Sequence, residues 1–555
     1  MAEGTRSLEQ GMQASERGDW EQARDWFRSA IAAEADCAPA YEGLSWAAWS
    51  LDDVDLVFHA REEAFRLYSK SDDGASAARM ALWLSSDHID FRGDLAVANG
   101  WLQRAHRILA DLAPVPEHAW ILVMEADVAL LVEEDTLKAK TLAQEARKIA
   151  RDLGVSDVVA LSLSTEGLAL VSEGDITAGM RLLDEAAASA LNGELSEPGY
   201  VGWALCYLIF ACERVRDYDR AREWCEKMLG YAERSGMSVV RGICRVHLAG
   251  VFIWRGDWLS AEEELAEATA QLKLRPVVAA EGTVRLADLR HRQGRIVESE
   301  TLFREVEWHP LALLGLAELA LEAGSPRDAD ELIDRFLRQV PESSRTQRST
   351  AFELQVRAKA LLGDHAAATT ALAAVCDLSV TVATPPLRAA ARFSTGALAV
   401  AERDYPGAQV AFEDAVSLYD RCAAPYEAAR ARLELASVLV MLERLPRALA
   451  EATAAHRALE DLNSTFHASR AAALKQDIAR RQGNSDAVLS PISPLTERQV
   501  EILRLIARGL NDHEIAVALT VSEHTVHRHV ANILQRLDLP SRAAAVAYAG
   551  TRSLI

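Results

Sequence analysis

Aromatic residues make up only 6% of this 555-residue chain, and glycine (29) and proline (16) are sparse for its length. With half the residues hydrophobic and alanine abundant, that shortage favours helix over strand. Long apolar runs are missing as well. The longest, Val201 to Cys212, falls short of a membrane span, and the N-terminus carries no apolar signal core. The seven cysteines contain no CxxC pair. Cys206, Cys212, Cys225 and Cys244 lie close in sequence and read as small buried residues, with a redox or metal role as the alternative. A soluble, reduced, cytoplasmic protein without a membrane association is expected. No GxxxxGK[ST] loop, βαβ alternation, HExxH, GxSxG or metal-spaced Cys/His set occurs, so neither an enzyme nor a bound cofactor or metal is expected.

Positive charge is also short, but unevenly so. The chain carries a formal charge of −22, whereas the segment from Leu495 onward has 7 Arg against 6 Asp and Glu. Only this tail is electrostatically tolerable beside a phosphate backbone. The length exceeds what one compact core serves and points to several modules or an elongated array.

What the sequence does contain is a repeat. Gly18-Asp19-Trp20 is followed by Ala23, Phe27 and Ala30; Gly93-Asp94 by Ala98, Leu102 and Ala105; Gly256-Asp257-Trp258 by Ala261, Leu265 and Ala268. The frame recurs at Gly18, Asp52, Gly93, Glu134, Gly174, Arg216, Gly256, Gly294, Gly324, Gly363, Arg403 and Glu443, mostly 38 to 42 residues apart, and Asp follows the anchor in nine of the twelve. The anchor ends one helix, Asp caps the next, and positions +5, +9 and +12 form one stripe that a lone hairpin cannot bury. The two Arg-Gly-Asp triplets, 92–94 and 255–257, fall on these turns and read as turn chemistry. The pattern resembles the tetratricopeptide repeat from about Leu8 to Arg481, with a longer period and few closing prolines. An all-α fold follows: an α-solenoid over 1–481, a linker over 482–494 and a separate domain over 495–555. All twelve Trp precede residue 309, and seven of them crowd the first repeats. They read either as inter-helix packing or as an aromatic-lined ligand surface on the concave face.

Residues 482–494, QGNSDAVLSPISP, break the pattern with polar residues and two Ser-Pro steps. Beyond them, Thr496 with Gln499 forms a capping box, Val500, Leu503 and Ile506 give an apolar stripe, and Gly509 ends a helix. Asn511 with Glu514 opens a short helix bearing Ile515, Ala516 and Leu519. Thr520-Val521 is a turn and Ser522 caps a third helix, 523–537, whose core face is Val526, Val530, Ile533 and Leu537. Pro540-Ser541-Arg542 opens a fourth, through about Ala549. Leu495-Thr496, Arg498, Leu503, Gly509, Glu514-Ile515-Ala516, Leu519, Val521-Ser522, Thr525-Val526, His529, Ile533, Leu537 and Arg542 resemble the LuxR family of helix-turn-helix domains. Asp512 stands where the family often has Asn, and His527 where Lys is frequent.

The resemblance implies a bacterial-type transcription regulator that binds double-stranded DNA, as a dimer through the fourth helix, and works at the nucleoid. The third helix has the length to lie in a major groove. Opposite its core face lie His524, His527, Arg528, Ala531 and Gln535. Arg528 can make two parallel hydrogen bonds to guanine, and Ala531 leaves room for a thymine methyl. Ser522 and Thr525, at the helix N-terminus, suit a phosphate. Arg536 and Arg542 are expected toward the DNA backbone, and His529 on the core side. The NTP-binding half of the large LuxR-type activators is absent. The solenoid is expected to sense an unidentified protein, peptide or small molecule and so control the tail. The alternative is an interaction scaffold whose DNA-binding tail is weak or vestigial.

Overall fold

All twelve repeat anchors adopt the left-handed backbone conformation, with φ from +56° at Asp52 and Arg216 to +102° at Gly174. Five of the twelve are not glycine, so the turn geometry persists even where the side chain opposes it. The nine aspartates that follow each accept a backbone N–H from the residue three positions on, at 2.9–3.3 Å. Arg295, Ser325 and Arg444 take the same place in the other three turns and make no side-chain cap.

These turns organise a computed structural model that describes residues 2–485, 495–537, 539 and 541–551. The first hairpins are α1 (Ala2–Glu16) with α2 (Trp20–Ala33), α3 (Ala38–Ser50) with α4 (Val54–Lys70), α5 (Gly74–Arg92) with α6 (Leu95–Leu109), and α7 (Pro116–Leu131) with α8 (Thr136–Leu153). Next come α9 (Ser156–Glu173) with α10 (Ile176–Leu191), α11 (Pro198–Arg214) with α12 (Tyr218–Arg234), α13 (Ser238–Arg255) with α14 (Trp258–Leu272), and α15 (Pro276–Gln293) with α16 (Ile296–Glu305). The last are α17 (Pro310–Glu322) with α18 (Pro326–Gln339), α19 (Ser349–Leu362) with α20 (His365–Val382), α21 (Pro385–Ala401) with α22 (Tyr405–Arg421), and α23 (Pro425–Met441) with α24 (Leu445–Asp461); α25 (Thr465–Ser485) closes the array. The 30-residue spacing before Gly324 reflects α16, which has only 10 residues. By length and composition alone α20 could cross a membrane, but here it is one member of a hairpin, with Ala368, Ala371, Val375 and Leu378 buried.

The stripe read from the sequence is the one the hairpins bury. Every +5 residue, from Ala23 to Ala448, and every +12 residue, from Ala30 to Ala455, is buried. In the second repeat the +9 position carries Arg61, 1% exposed, paired with Asp87 at 2.9 Å. Its guanidinium lies over the rings of Trp46 and Trp83. Trp83, Trp120 and Tyr200 continue this cluster, so most of the N-terminal tryptophans pack between helices. Trp26 and Trp308 remain exposed.

The array coils on itself. Carbonyls at the ends of helices and in the turns beyond them are met by donors 169 to 226 residues further along the chain. Arg275 Nη2 donates to Trp49 O, Ser344 Oγ to Glu134 O, the Thr346 amide to Ser172 O, Thr384 Oγ1 to Val215 O and Ser464 Oγ to Arg292 O. Trp20 Nε1 likewise donates to Ser235 O. Arg275, fully buried, also pairs with Asp52 and Asp90.

Buried ion pairs join the helices in the middle of the array. Arg285 pairs with Glu213 and Glu281, and His247 with Glu213 at 2.9 Å. Glu318 takes Arg357 and Arg430, and Glu322 bridges His291 and His467. The Glu213–His247–Glu281 group has metal-ligating spacing, but the Arg285 guanidinium already pairs with both carboxylates. Burial opposes charging His247, yet Glu213 and Glu281 prevail and raise its pKa. Cys206, Cys212, Cys225 and Cys244 are all buried with free thiols, and burial pushes Cys206 up to about 12, which suits packing and not thiolate chemistry.

The polar stretch after Arg481 was expected to be linker from its first residue. Instead α25 continues to Ser485, as no proline intervenes before Pro491 and the helix is already nucleated. Positions 486–494 of that expected linker lie outside the described residues.

Candidate nucleic-acid interface

The tail folds around its own core. Four helices, α26 (Glu497–Ala507), α27 (Asp512–Leu519), α28 (Glu523–Arg536) and α29 (Arg542–Thr551), bury Leu503, Ile506, Ile515, Leu519, Val526, Val530, Ile533, Ala545 and Ala549 together. Leu537 and Val500 pack at its edge. Both capping boxes form: Thr496 with Gln499, and Asn511 with Glu514. Thr520 supplies the left-handed turn residue (φ +50°) between α27 and α28, and the Ser522 side chain accepts from the Thr525 amide. Such capping fixes where α28 begins and which residues occupy its first turn.

The side chains opposite that core fall into two groups. His524, His527, Ala531 and Gln535 are exposed along one stripe. Ser522, Thr525 and Arg528 occupy the adjoining flank, and there the structure supplies partners that sequence reasoning missed. The Ser522 amide donates to Glu413 Oε2 at 2.9 Å, and Thr525 Oγ1 donates to the same oxygen at 2.8 Å. Arg528 Nη2 donates to Glu451 Oε1 at 2.6 Å. Glu413 belongs to α22 and Glu451 to α24, so the tail docks on the last full hairpins of the array. Each carboxylate also has a cation from the array itself: Arg447 beside Glu413, and Arg432 3.0 Å from Glu451. Burial pushes the Glu451 carboxyl up, but Arg528, Arg432 and Arg447 outweigh it and hold it below the usual range.

His529 sits on the same flank. Both ring nitrogens are buried without a hydrogen-bond partner. Burial first, then Arg447, Arg528 and Arg498, lower its pKa to about 3, so the ring is neutral. His524 is shifted down in the same direction, by burial and then by Arg528. His527 stays 76% exposed, 3.5 Å from Asp512 Oδ2.

Of the two outer arginines, only Arg542 departs from expectation. Arg542 turns inward, donating to Leu510 O at 2.8 Å and pairing with Asp512, so it ties α29 to the start of α27 and is not directed at a DNA backbone. The carbonyl beyond α26 and the first carboxylate of α27 offer it a closer anion than solvent does. Arg536 is exposed and donates to Gln499 Oε1 at 3.2 Å. No local signal marked Glu413 or Glu451, since both sit on helices whose other charged residues mostly face solvent.

Residues 493–549 match the family described as bacterial regulatory proteins, luxR family. Over 61 residues the chain is 49% identical to the response regulator protein VraR of Staphylococcus aureus, a stretch covering 11% of this chain and 29% of that protein. VraR of Staphylococcus epidermidis matches equally, 49% identical over 61 residues. The chain thus spans 29% of the length of these curated relatives. Among solved structures, yeast Tom70 aligns over 86% of this chain and 96% of its own, with 14% identity and a TM-score of 0.30. The APC/C hetero-tetramer Cut9–Hcn1 aligns over 85% and 95%, with 13% identity and a TM-score of 0.45. The chain therefore carries a LuxR-type helix-turn-helix domain at residues 493–549, behind an all-α array of tetratricopeptide-like paired helices.

Proposed function

We propose that the protein is a sequence-specific DNA-binding transcription regulator, with α28 as the helix that enters the major groove and the helical array as the part that controls it. The observation that carries this reading is the first turn of α28. Ser522 caps it, the Ser522 amide and the Thr525 hydroxyl converge on one anionic oxygen, and His524, His527 and Ala531 line the exposed side beside Arg528. A helix N-terminus with a hydroxyl donor seats a phosphate, and an adjoining arginine can then reach guanine O6 and N7. The domain's excess of positive charge is small, so one copy gains little from counterion release and two copies on half-sites about 10 bp apart are expected. The outer side of α29, where Val546 is exposed, is the proposed contact between copies.

Binding-site selection from random duplexes with the full chain tests the reading. A two-fold or direct-repeat motif with half-sites one helical turn apart is expected. Retention of DNA with no enriched motif would leave only charge-driven binding and would refute it.

A further inference from the structure

The geometry points to Glu413 and Glu451 as an anionic clasp that takes the place of DNA on α28, holding the reading helix against the array until the two carboxylates let go. This rests on the proposed role of α28 and adds how that helix is restrained.

The argument begins with the donors. The Ser522 amide and the Thr525 hydroxyl are the groups that would seat a phosphate, and both already donate to a single oxygen of Glu413. Arg528, the candidate base reader, already donates to Glu451. A phosphate oxygen and a carboxylate oxygen present the same thing to such donors: a compact negative charge with open lone pairs. The two cannot occupy the first turn at once.

The carboxylates are prepared for this role by the array. With the tail docked, the Glu413 side chain is 1% exposed and that of Glu451 4%, values unusual for acidic residues unless they are paired. Arg447 and Arg432 come from the array itself, so each carboxylate keeps a cation when the tail leaves. Gln409 Nε2 also donates to Glu413 Oε1, at 2.6 Å. The clasp is thus a preset acceptor, and opening it strands no bare charge on the array side. Its two halves stand on neighbouring hairpins, α22 on one and α24 on the next. A ligand that alters the angle between these hairpins would pull the halves apart.

The docked flank is also the one along which DNA must pass. Ser522, Thr525 and Arg528 recur every three residues down one side of α28, directly next to the exposed stripe of His524, His527 and Ala531. With α22 and α24 against that flank, a duplex following the exposed stripe would meet the array before the helix could reach the groove floor.

The test uses the full chain and a duplex obtained by site selection. Glu413→Gln with Glu451→Gln removes the two charges and should raise affinity by about tenfold or more, as charge-assisted hydrogen bonds on the closed state are weakened. Glu402→Gln with Glu443→Gln removes two charges from exposed positions nearby, and should change affinity far less. Equal affinity for the clasp variant and the unmodified chain would overturn the clasp and leave the DNA-binding reading standing. So would an equal gain from the exposed pair, which would reduce the effect to general acidity. Failure of every chain to bind any selected duplex would remove the DNA-binding reading and the clasp with it. A second measurement needs no variant: carbodiimide labelling of Glu413 and Glu451 in the unmodified chain, read by mass spectrometry. Labelling should rise on addition of the duplex; unchanged labelling on a DNA-saturated chain would show that the helix reads DNA without leaving the array, and the clasp would fall.

Discussion

Thr525 and Glu413 lie 112 residues apart in the chain and share a hydrogen bond of 2.8 Å, with the Ser522 amide on the same carboxylate oxygen. One acidic side chain of the array thereby occupies the N-terminal turn of the helix proposed to read DNA. Helix N-termini attract anions because several amides there lack intrahelical partners and the helix dipole adds partial positive charge. The acidic array therefore meets its tail through a particular contact.

That contact gives Arg528 two opposed effects. Arg528→Ala removes a candidate base contact, which should cost about 1–3 kcal/mol on a selected site. The same change removes the Glu451 pairing and loosens docking. The loss measured in the full chain should therefore be smaller than the loss measured in a Glu413→Gln, Glu451→Gln background. Equal losses in the two backgrounds, by titration at fixed salt, would show that Arg528 contributes nothing to restraint.

The coiling of the array makes a prediction about two glycines with nearly the same backbone. Gly256 and Gly363 both end helices in the left-handed region, at φ +81° and +78°. A Cβ on Gly363 would meet nothing within 4 Å, while one on Gly256 would lie 2.6 Å from Leu462 Cδ2 and 2.8 Å from Pro425 Cγ, both of a later hairpin. Gly363→Ala should cost about 1 kcal/mol, the backbone preference alone. Gly256→Ala should cost about 1–3 kcal/mol more, because successive turns of the coil must separate. Thermal midpoints of the two variants provide the comparison, and a matching shift would mean that the coil turns are not pressed together there.

How much of this could be read from the sequence depends on the range of the interaction. Asp257 as a cap and Gly256 as a helix end were legible because both act within four residues. The same holds for Thr496 with Gln499 and for Ser522. Arg61 was half legible: a charged residue at a +9 position flags a departure, but its partner Asp87 comes from the next hairpin. Arg275 was not legible at all. It precedes Pro276 at the start of a helix, where exposure is the ordinary outcome, yet it is fully buried because Asp52, Asp90 and Trp49 O arrive from the previous turn of the coil. Glu413 and Glu451 fail in the same way, since their burial is created by a domain that the chain returns after α25. The groove-facing stripe of α28 was visible from helical spacing, whereas its occupied flank was not.

Arg275 itself should be a keystone of the coil. Replacing it with Ala leaves Asp52 and Asp90 without their buried cation and leaves Trp49 O without that donor. Breaking a buried pair from one side costs about 3–5 kcal/mol. Helices within each hairpin keep their own cores, so the expected result is a longer, looser array in place of an unfolded one. Small-angle scattering should report a larger radius of gyration with helical circular dichroism largely retained. An unchanged radius would show that other contacts between the turns suffice.

The docked tail should also respond to acid. His529 faces Arg528 on its own helix, Arg498 on α26, and Arg447 with Glu451 on α24, and burial first and then the arginines hold it near a pKa of about 3. Released from α24, its ring gains water and loses Arg447, so its pKa moves back toward 6.5. The docked state therefore binds fewer protons than the released state. Lowering the pH must favour release, and the effect begins near pH 6.5 and grows downward toward 3. Each pH unit in that window shifts docking by up to about 1.4 kcal/mol for one imidazole. His524, pushed down by burial and Arg528 and facing Asp420 and Arg432 of the array, adds in the same direction. Glu451 is held below the ordinary carboxylate range in part by Arg528 of the tail, so its protonation also favours release and adds in the same direction, but only at lower pH than the imidazole. Affinity alone mixes docking with the DNA contacts made in either state. The ratio of affinities between the Glu413→Gln, Glu451→Gln chain and the unmodified chain isolates docking, and it should shrink toward one between pH 7.5 and pH 5.5. A ratio constant across that range would show that His529 is no more protected in the docked chain than in the free tail.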